Sequence, residues 1–292
     1  MIKHITKEGS DIFSGPLETA AEGFRFLEGP VWHPVHRHLV CSDIIGNALY
    51  QMDRSGSITM VRRNSFLANG NTYDRSGRLI TCEHGTSRLT RLEHDGSVIV
   101  LASRWNEKEL NSPNDVIVKS DGSIYFTDPP SGRGEGYGIP RKQELDFQGV
   151  YRLDPETLAL TLLADDFSKP NGLCFTPDES HLLVNDTDRQ HIRRFPVCPD
   201  GTLGEGELFA ELVQDAPGAA DGMKFDSQHR LFCCAPGGIQ VFSREGKLIC
   251  RLFIPKFTAN FTWGDEDLKT LYITASSTLY RIRVTCPGFR LF

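Results

Sequence analysis

The chain has 292 residues; 39% are hydrophobic, 27 are glycine and 16 are proline, and the net charge is −6. This composition excludes a disordered or coiled-coil protein and supplies enough turn residues for many short strands. Charges of both signs are interspersed without a basic run, so nucleic acid and anionic membranes are disfavoured as partners. A small or neutral partner is expected instead.

Targeting signals and cysteine motifs are also missing from the sequence. No apolar stretch of 18 residues is present, and residues 1–9 lack the apolar core of a signal peptide. We therefore expect a cytoplasmic protein. The eight cysteines show no C-x-x-C spacing, and several lie in apolar runs such as 231–235, so we expect small buried side chains rather than zinc or redox sites.

Six similar units follow one another along the chain. Each begins with a polar turn, continues through an apolar strand and a second turn, and ends in a strand that carries an aromatic or basic residue. The units span residues 28–53, 69–92, 113–154, 170–195, 221–242 and 260–282. Their first polar residues are separated by 41, 45, 57, 50 and 39 positions.

Steps of about 40 to 50 residues are typical of propeller blades with four short strands. The sequence therefore predicts an all-β fold, a single six-bladed β-propeller domain over residues 1–292 with four-stranded blades around a central channel. A monomer or weak homodimer is expected.

Three segments depart from this repeat. The segment before Glu28 is predicted to add a strand to the last blade and so to close the ring without an exposed edge. Residues 129–138, at the start of a glycine-rich insert that extends to about 148, are either a lid or a loose surface loop. Residues 105–110 could form one helical turn.

The residue that opens each unit is called an anchor residue below. In a propeller the same position of each blade faces the shared channel, so the anchor residues are expected to converge. All six carry side-chain oxygen: Glu28, Asn69, Asn114, Asn171, Asp221 and Asn260. Glutamate is not a turn former, which singles out Glu28. Two carboxylates with amide oxygens suit a hard cation, Ca²⁺ before Mg²⁺; the alternative is that these side chains only cap strand ends.

Five segments together resemble the signature segments of the SMP-30/gluconolactonase/luciferin-regenerating-enzyme-like family, and in particular its bacterial gluconolactonases. They are residues 26–32, 111–116, 126–129, 170–173 and 220–223. The resemblance covers essentially the whole chain. It implies a six-bladed propeller with one divalent cation in the channel, Ca²⁺ in first place and Zn²⁺, Mg²⁺ or Mn²⁺ as alternatives.

The resemblance also implies roles for particular residues. Glu28, Asn171 and Asp221 match the metal ligands, and Asp221 also matches the family's proposed acid/base. Asn114 matches a residue that helps to hold substrate or a bound water. Ser112 stands where the animal lactonases carry arginine, so their sugar contacts cannot be transferred. Polar lining is therefore expected from the residues Asn69, Asn71, His84, Asp128 and Asn185.

The resulting hypothesis is metal-dependent hydrolysis of a sugar lactone, with D-glucono-1,5-lactone as the first candidate. A nucleophilic serine is disfavoured because no G-x-S-x-G segment is present. Two alternatives stay open: another lactonase or esterase of the paraoxonase-like type, and a propeller that binds a ligand without catalysis.

Overall fold

The computed structural model describes all 292 residues, and strands form nearly all of its regular structure. Two strands precede the first blade, β1 (Ile2–His4) and β2 (Phe13–Glu22). The first blade contains four strands: β3 (Leu27–His33), β4 (His38–Asp43), β5 (Ala48–Met52) and β6 (Ile58–Arg63). The second contains four more: β7 (Ala68–Tyr73), β8 (Leu79–Glu83), β9 (Arg88–Leu92) and β10 (Val98–Ala102). In each blade, neighbouring strands are antiparallel.

A small hairpin separates the second blade from the third. Its strands are β11 (Arg104–Trp105) and β12 (Lys108–Glu109). The helical turn considered for residues 105–110 is therefore wrong. The φ angles of Asn106 and Glu107 are 46° and 66°, and two successive positive values belong to a tight hairpin turn rather than a right-handed helix.

The third and fourth blades repeat the four-stranded pattern. The third contains β13 (Val116–Val118), β14 (Ile124–Asp128), β15 (Gly149–Leu153) and β16 (Leu160–Ala164). The fourth contains β17 (Pro170–Phe175), β18 (His181–Asp186), β19 (His191–Pro196) and β20 (Glu207–Glu211). Two short 3-10 segments complete the regular structure, Lys7–Gly9 and Pro130–Arg133.

The last two blades are joined to the start of the chain. The fifth contains β21 (Met223–Phe225), β22 (Leu231–Ala235), β23 (Gly238–Phe242) and β24 (Leu248–Phe253), and β1 pairs with β24 as a fifth strand. The sixth contains β25 (Thr258–Gly264), β26 (Thr270–Ala275) and β27 (Thr278–Val284), with β2 paired to β27 as its outer strand. The predicted closure by the segment before Glu28 is thus confirmed, and the fold is a six-bladed β-propeller.

The hydrophobic core lies between the facing sheets of adjacent blades. Its largest cluster joins the fifth and sixth blades, where Phe232 packs edge-on against Trp263 at a ring separation of 5.2 Å. A second cluster joins the second and third blades, and there Phe126 stacks on Tyr151. Burial of each large side chain contributes about 1.5–3 kcal/mol, so the contacts between blades hold the ring together.

Cysteines add packing rather than cross-links. All eight are free; six are buried, and Cys198 and Cys286 are half-buried. This agrees with the expectation of small buried side chains for most of them. No helix in the structure has the length and apolar character needed to span a membrane.

Candidate functional site

Five of the six anchor residues meet at one end of the central channel, at the beginning of the inner strands. They line a cavity of about 360 Å³, which we call the anchor cavity, and they are Glu28, Asn69, Asn114, Asn171 and Asp221. The sixth, Asn260, is absent from this lining and supports it instead. Its Nδ2 donates to Glu28 Oε2 at 3.2 Å.

Glycines that follow the anchor residues allow this convergence. Gly29 has a φ of +52°, and a Cβ at this position would overlap the carbonyl oxygen of Asn69 on the next inner strand. Two further positions show the same close approach, Gly70 to the carbonyl of Asn114 and Gly172 to that of Asp221. Only glycine leaves enough room for neighbouring inner strands to approach at this distance, so these residues bring the anchor side chains together.

A chain of hydrogen bonds fixes the three amides. Asn69 Nδ2 donates to Asn114 Oδ1 at 2.8 Å, and Asn114 Nδ2 donates to Asn171 Oδ1 at 2.6 Å. Asn171 Nδ2 in turn donates to Thr187 Oγ1 at 3.0 Å. Every donor is directed to the next residue around the ring, which sets the orientation of all three amides. At the start of the chain, Asn69 Oδ1 is buried without a hydrogen-bond partner.

The two carboxylates of the cavity are both buried. Burial, followed by the charge of Asp115, raises the pKa of Glu28. Burial, followed by the Glu28 carboxylate, raises the pKa of Asp221 well above its usual range. If both were ionised, these buried carboxylates would repel each other, and a cation would relieve that repulsion.

This donor set fits a hard divalent cation. Glu28 and Asp221 provide carboxylate oxygens, and the Asn171 amide adds a neutral oxygen, which is the ligand chemistry that Ca²⁺ and Mg²⁺ prefer. No group of three or more His, Cys, Asp or Glu side chains in the structure is arranged to hold a metal. A cation in the anchor cavity would therefore depend on two carboxylates together with amides.

His84 lines the same cavity and contacts the glycine-rich insert that begins at residue 129. Its Nδ1 lies 3.0 Å from the carbonyl oxygen of Tyr137 and its Nε2 lies 3.0 Å from Asn69 Nδ2. These partners place the proton on Nδ1, and burial lowers the pKa of His84 to about 4. The ring is therefore neutral at pH 7 and connects Asn69 to the insert.

The insert itself is firmly attached. Arg133 is buried, and its guanidinium donates to the carbonyl of Asn111 at 2.7 Å and to Glu109 at 2.6 Å. Tyr137 of the insert lines the anchor cavity. These contacts disfavour a loose surface loop and make the insert one wall of the cavity.

An aromatic wall was not foreseen from the sequence. The rings of Phe26 and Tyr137 lie 4.8 Å apart, and that of Phe257 lies 6.1 Å from Phe26. All three line the anchor cavity, and Lys169 lies among the same lining residues. The one sequence signal that could have indicated Phe26 is its position two residues before Glu28.

Three residues expected in the lining lie outside it. The Asp128 carboxylate accepts the backbone N–H groups of Asn111 at 2.7 Å and Ser112 at 2.8 Å, and burial raises the pKa of Asp128 to about 7. It therefore holds the loop that leads to Asn114. Asn185 donates to the carbonyl oxygen of Asp221, and Asn71 donates to that of Gly29 at 2.9 Å. Both fix the backbone beneath the cavity.

Comparisons with known proteins agree with this architecture. The family model "SMP-30/Gluconolactonase/LRE-like region" matches residues 26–277. A gluconolactonase from Zymomonas mobilis is 30% identical over 94% of this chain and 83% of its own length. A 6-deoxy-6-sulfogluconolactonase from Pseudomonas putida is 26% identical over 85% and 82%. The solved structure of a gluconolactonase from Xanthomonas campestris superposes with a TM-score of 0.89 at 34% identity, covering 97% of this chain and 93% of that one.

The chain belongs to the SMP-30/gluconolactonase/LRE-like family, as its signature segments predicted.

Proposed function

We propose that the protein hydrolyses sugar lactones in the anchor cavity, with D-glucono-1,5-lactone as the first candidate substrate. The reaction would use a divalent cation, with Ca²⁺ as the first candidate. The observation that carries this proposal is the convergence of Glu28, Asp221 and Asn171 in one buried cavity. The relatives are named as gluconolactonases and a 6-deoxy-6-sulfogluconolactonase, and these names support the same substrate class.

Glu28, Asn171 and Asp221 would hold the cation. When bound, it supplies a Lewis acid that polarises the lactone carbonyl. Asp221 lines the same cavity, and burial followed by the Glu28 carboxylate raises its pKa, so its carboxylate favours taking up a proton. It would take a proton from water as the new C–O bond forms, and it would give that proton to the ring oxygen as the ring C–O bond breaks. The product is the open-chain aldonic acid.

The remaining cavity residues would orient the sugar. Asn69 lines the cavity beside Asn114, where its side chain would contact a sugar hydroxyl. The fixed amide of Asn114 lies between Asn69 and Asn171, where it can contact the substrate and keep Asn171 in place. Phe26, Tyr137 and Phe257 would pack against the C–H face of the ring.

The aromatic wall also favours one alternative within the same chemistry. Three exposed or half-exposed rings at the cavity mouth suit an apolar ester or lactone as well as a sugar. Comparison of kcat/KM for glucono-1,5-lactone, a pentonolactone and phenyl acetate separates these substrate classes. We expect the aldonolactones to be preferred, and faster turnover of phenyl acetate would favour the esterase.

Removal of the cation tests the proposal itself. Treatment with EDTA should abolish gluconolactone hydrolysis in a pH-stat assay, and added Ca²⁺ should restore it. Full turnover by metal-free protein would exclude a metal-dependent reaction. A protein that never turns over any lactone, with or without added cations, would instead support a propeller that only binds its ligand.

A further inference from the structure

Four charged side chains lie along the middle of the central channel. Glu28 and Asp221 line the anchor cavity. Asp115 and Lys224 line a second cavity of about 290 Å³ at the opposite end, and no residue lines both cavities. The three carboxylates are buried and Lys224 is half-buried. The cation site of the anchor cavity is thus backed by one further carboxylate and one ammonium that the mechanism above does not use.

Lys224 is connected to Glu28 through a single amide. Its Nζ donates to Asn260 Oδ1 at 2.9 Å, and Asn260 Nδ2 donates to Glu28 Oε2 at 3.2 Å. The backbone N–H of Phe261 also donates to Asn260 Oδ1, at 2.9 Å, so the amide keeps its orientation by a second contact. Lys224 therefore adds a positive charge close behind Glu28 without being the only group that orients Asn260.

Lys224 acts on the carboxylates by its charge. Burial raises the pKa of Asp115, and the charge of Lys224 is the largest influence that opposes this rise. Burial, followed by Asp115, raises the pKa of Glu28, and the charge of Lys224 again opposes it. These effects place the ammonium within electrostatic range of carboxylates on both sides of the Asn260 amide.

The combined charge of these groups suits one divalent cation. When the three carboxylates are ionised, the Lys224 ammonium offsets one of them, and two negative charges remain. Without Lys224 a third negative charge would stay at the site. A change of one unit charge in a buried site alters the affinity for a divalent ion, and it alters the affinity for a trivalent ion more, because the Coulomb energy scales with the charge of the ion.

We propose that Lys224 sets the charge of the cation site in the anchor cavity. It is not a ligand; it lowers the affinity of the site for cations and favours divalent over trivalent ions. This inference rests on the cation site of the proposed function, and it adds a determinant of ion selectivity that lies at the opposite end of the channel.

Binding of Ca²⁺ and Tb³⁺ to desalted, EDTA-treated protein tests this role. Calorimetry measures the affinity for Ca²⁺, and Tb³⁺ luminescence, sensitised by Tyr137 of the anchor cavity, measures that for Tb³⁺. Lys224→Met should bind Ca²⁺ about fivefold or more tightly, with a still larger gain for Tb³⁺. Lys7→Met, a substitution of an exposed lysine in the segment Lys7–Gly9, is the matched control and should change neither affinity.

Asp115→Asn provides the reciprocal test and replaces Lys224→Met if that variant does not fold. It removes one negative charge, so Ca²⁺ binding should weaken about fivefold or more and Tb³⁺ binding should weaken further. Unchanged affinities in these variants, or weaker Ca²⁺ binding by folded Lys224→Met, would overturn this inference alone. Absence of Ca²⁺ binding by the unmodified protein would overturn the cation site of the proposed function together with it.

Discussion

The two ends of the central channel are formed by the same inner strands, yet they differ in chemistry. β3 carries Glu28 near its beginning and Trp32 near its end, and Asp221 lies two residues before the start of β21, which carries Lys224. The anchor cavity contains two buried carboxylates beside fixed amides. The cavity of about 290 Å³ at the opposite end of the channel contains the aromatic side chains of Trp32 and Trp263 and the Lys224 ammonium. Three or four residues along one strand therefore separate a carboxylate-lined end of the channel from an aromatic one.

The largest effect is expected from substitution of the proposed acid/base in the anchor cavity. Asp221→Asn should lower kcat for gluconolactone by about 10²–10⁴-fold, because the amide cannot carry the proton from water to the ring oxygen. Steady-state hydrolysis measures this loss. Asp267→Asn, an exposed aspartate paired with Arg283, serves as the control and should retain full activity. Equal rates in the two variants would place the acid/base elsewhere.

The second prediction separates the steric cost of close approach between inner strands from the cost of a left-handed backbone conformation. Gly29→Ala should lower the free energy of unfolding by more than the ~1–3 kcal/mol expected for a left-handed backbone alone, since its Cβ would also overlap the Asn69 carbonyl. Gly56→Ala is the matched control: Gly56 has a φ of +84° and open space around its Cβ position. Chemical denaturation measures both. Similar losses would mean that the inner strands can move apart at the axis.

The pH dependence of metal-free protein reports on the buried carboxylates. Burial, and then Asp115, raises the pKa of Glu28; burial, and then Glu28, raises that of Asp221. Above the ordinary carboxylate pKa range of about 4 to 4.5, the folded state thus binds more protons than the unfolded state. The free energy of unfolding should therefore fall as the pH rises above that range.

Thermal unfolding from pH 4.5 to 8 tests this expectation. The decline in Tm should be steepest in EDTA, smaller in Glu28→Gln, and largely removed by saturating Ca²⁺. A Tm that rises with pH in EDTA, or one that is indifferent to Glu28→Gln, would show that these carboxylates do not control the trend.

The smallest effect concerns the aromatic wall. Tyr137→Ala should raise KM for gluconolactone about threefold to tenfold, since one aromatic contact is worth about 0.5–1.5 kcal/mol. Tyr137→Phe retains the ring and should behave like the unmodified protein. If Tyr137→Phe is as impaired as Tyr137→Ala, the hydroxyl rather than the ring contacts the substrate.

The sequence predicted those features of the site that follow from the repeat of six similar units. Each anchor residue opens one unit, so the spacing of Glu28, Asn69, Asn114, Asn171 and Asp221 already indicated that they share one end of the channel. Asn260 occupies the equivalent place in the last unit, but its amide contacts Glu28 and Lys224 rather than the cavity. Repeat position fixes which strand a residue opens; the direction of its side chain depends on neighbours that the repeat does not specify.

Features formed between units were not predictable in this way. Phe26, Tyr137 and Phe257 come from three separate connections, and their contact exists only once the ring has closed. Asp128 ends β14, the second strand of its blade, and was expected in the lining from the sequence. Its carboxylate instead accepts the backbone N–H groups of residues 16 and 17 positions earlier. Such pairings depend on loop conformation, which single residues do not encode.

The most direct test of the account is a calorimetric titration of EDTA-treated protein with Ca²⁺. The account predicts one ion bound per chain in the unmodified protein and in Glu266→Gln, a matched substitution of an exposed glutamate. Glu28→Gln should lose measurable binding, because it removes one of only two carboxylates from the proposed ligand set. An unchanged Ca²⁺ titration of Glu28→Gln would contradict the assignment of the cation to the anchor cavity.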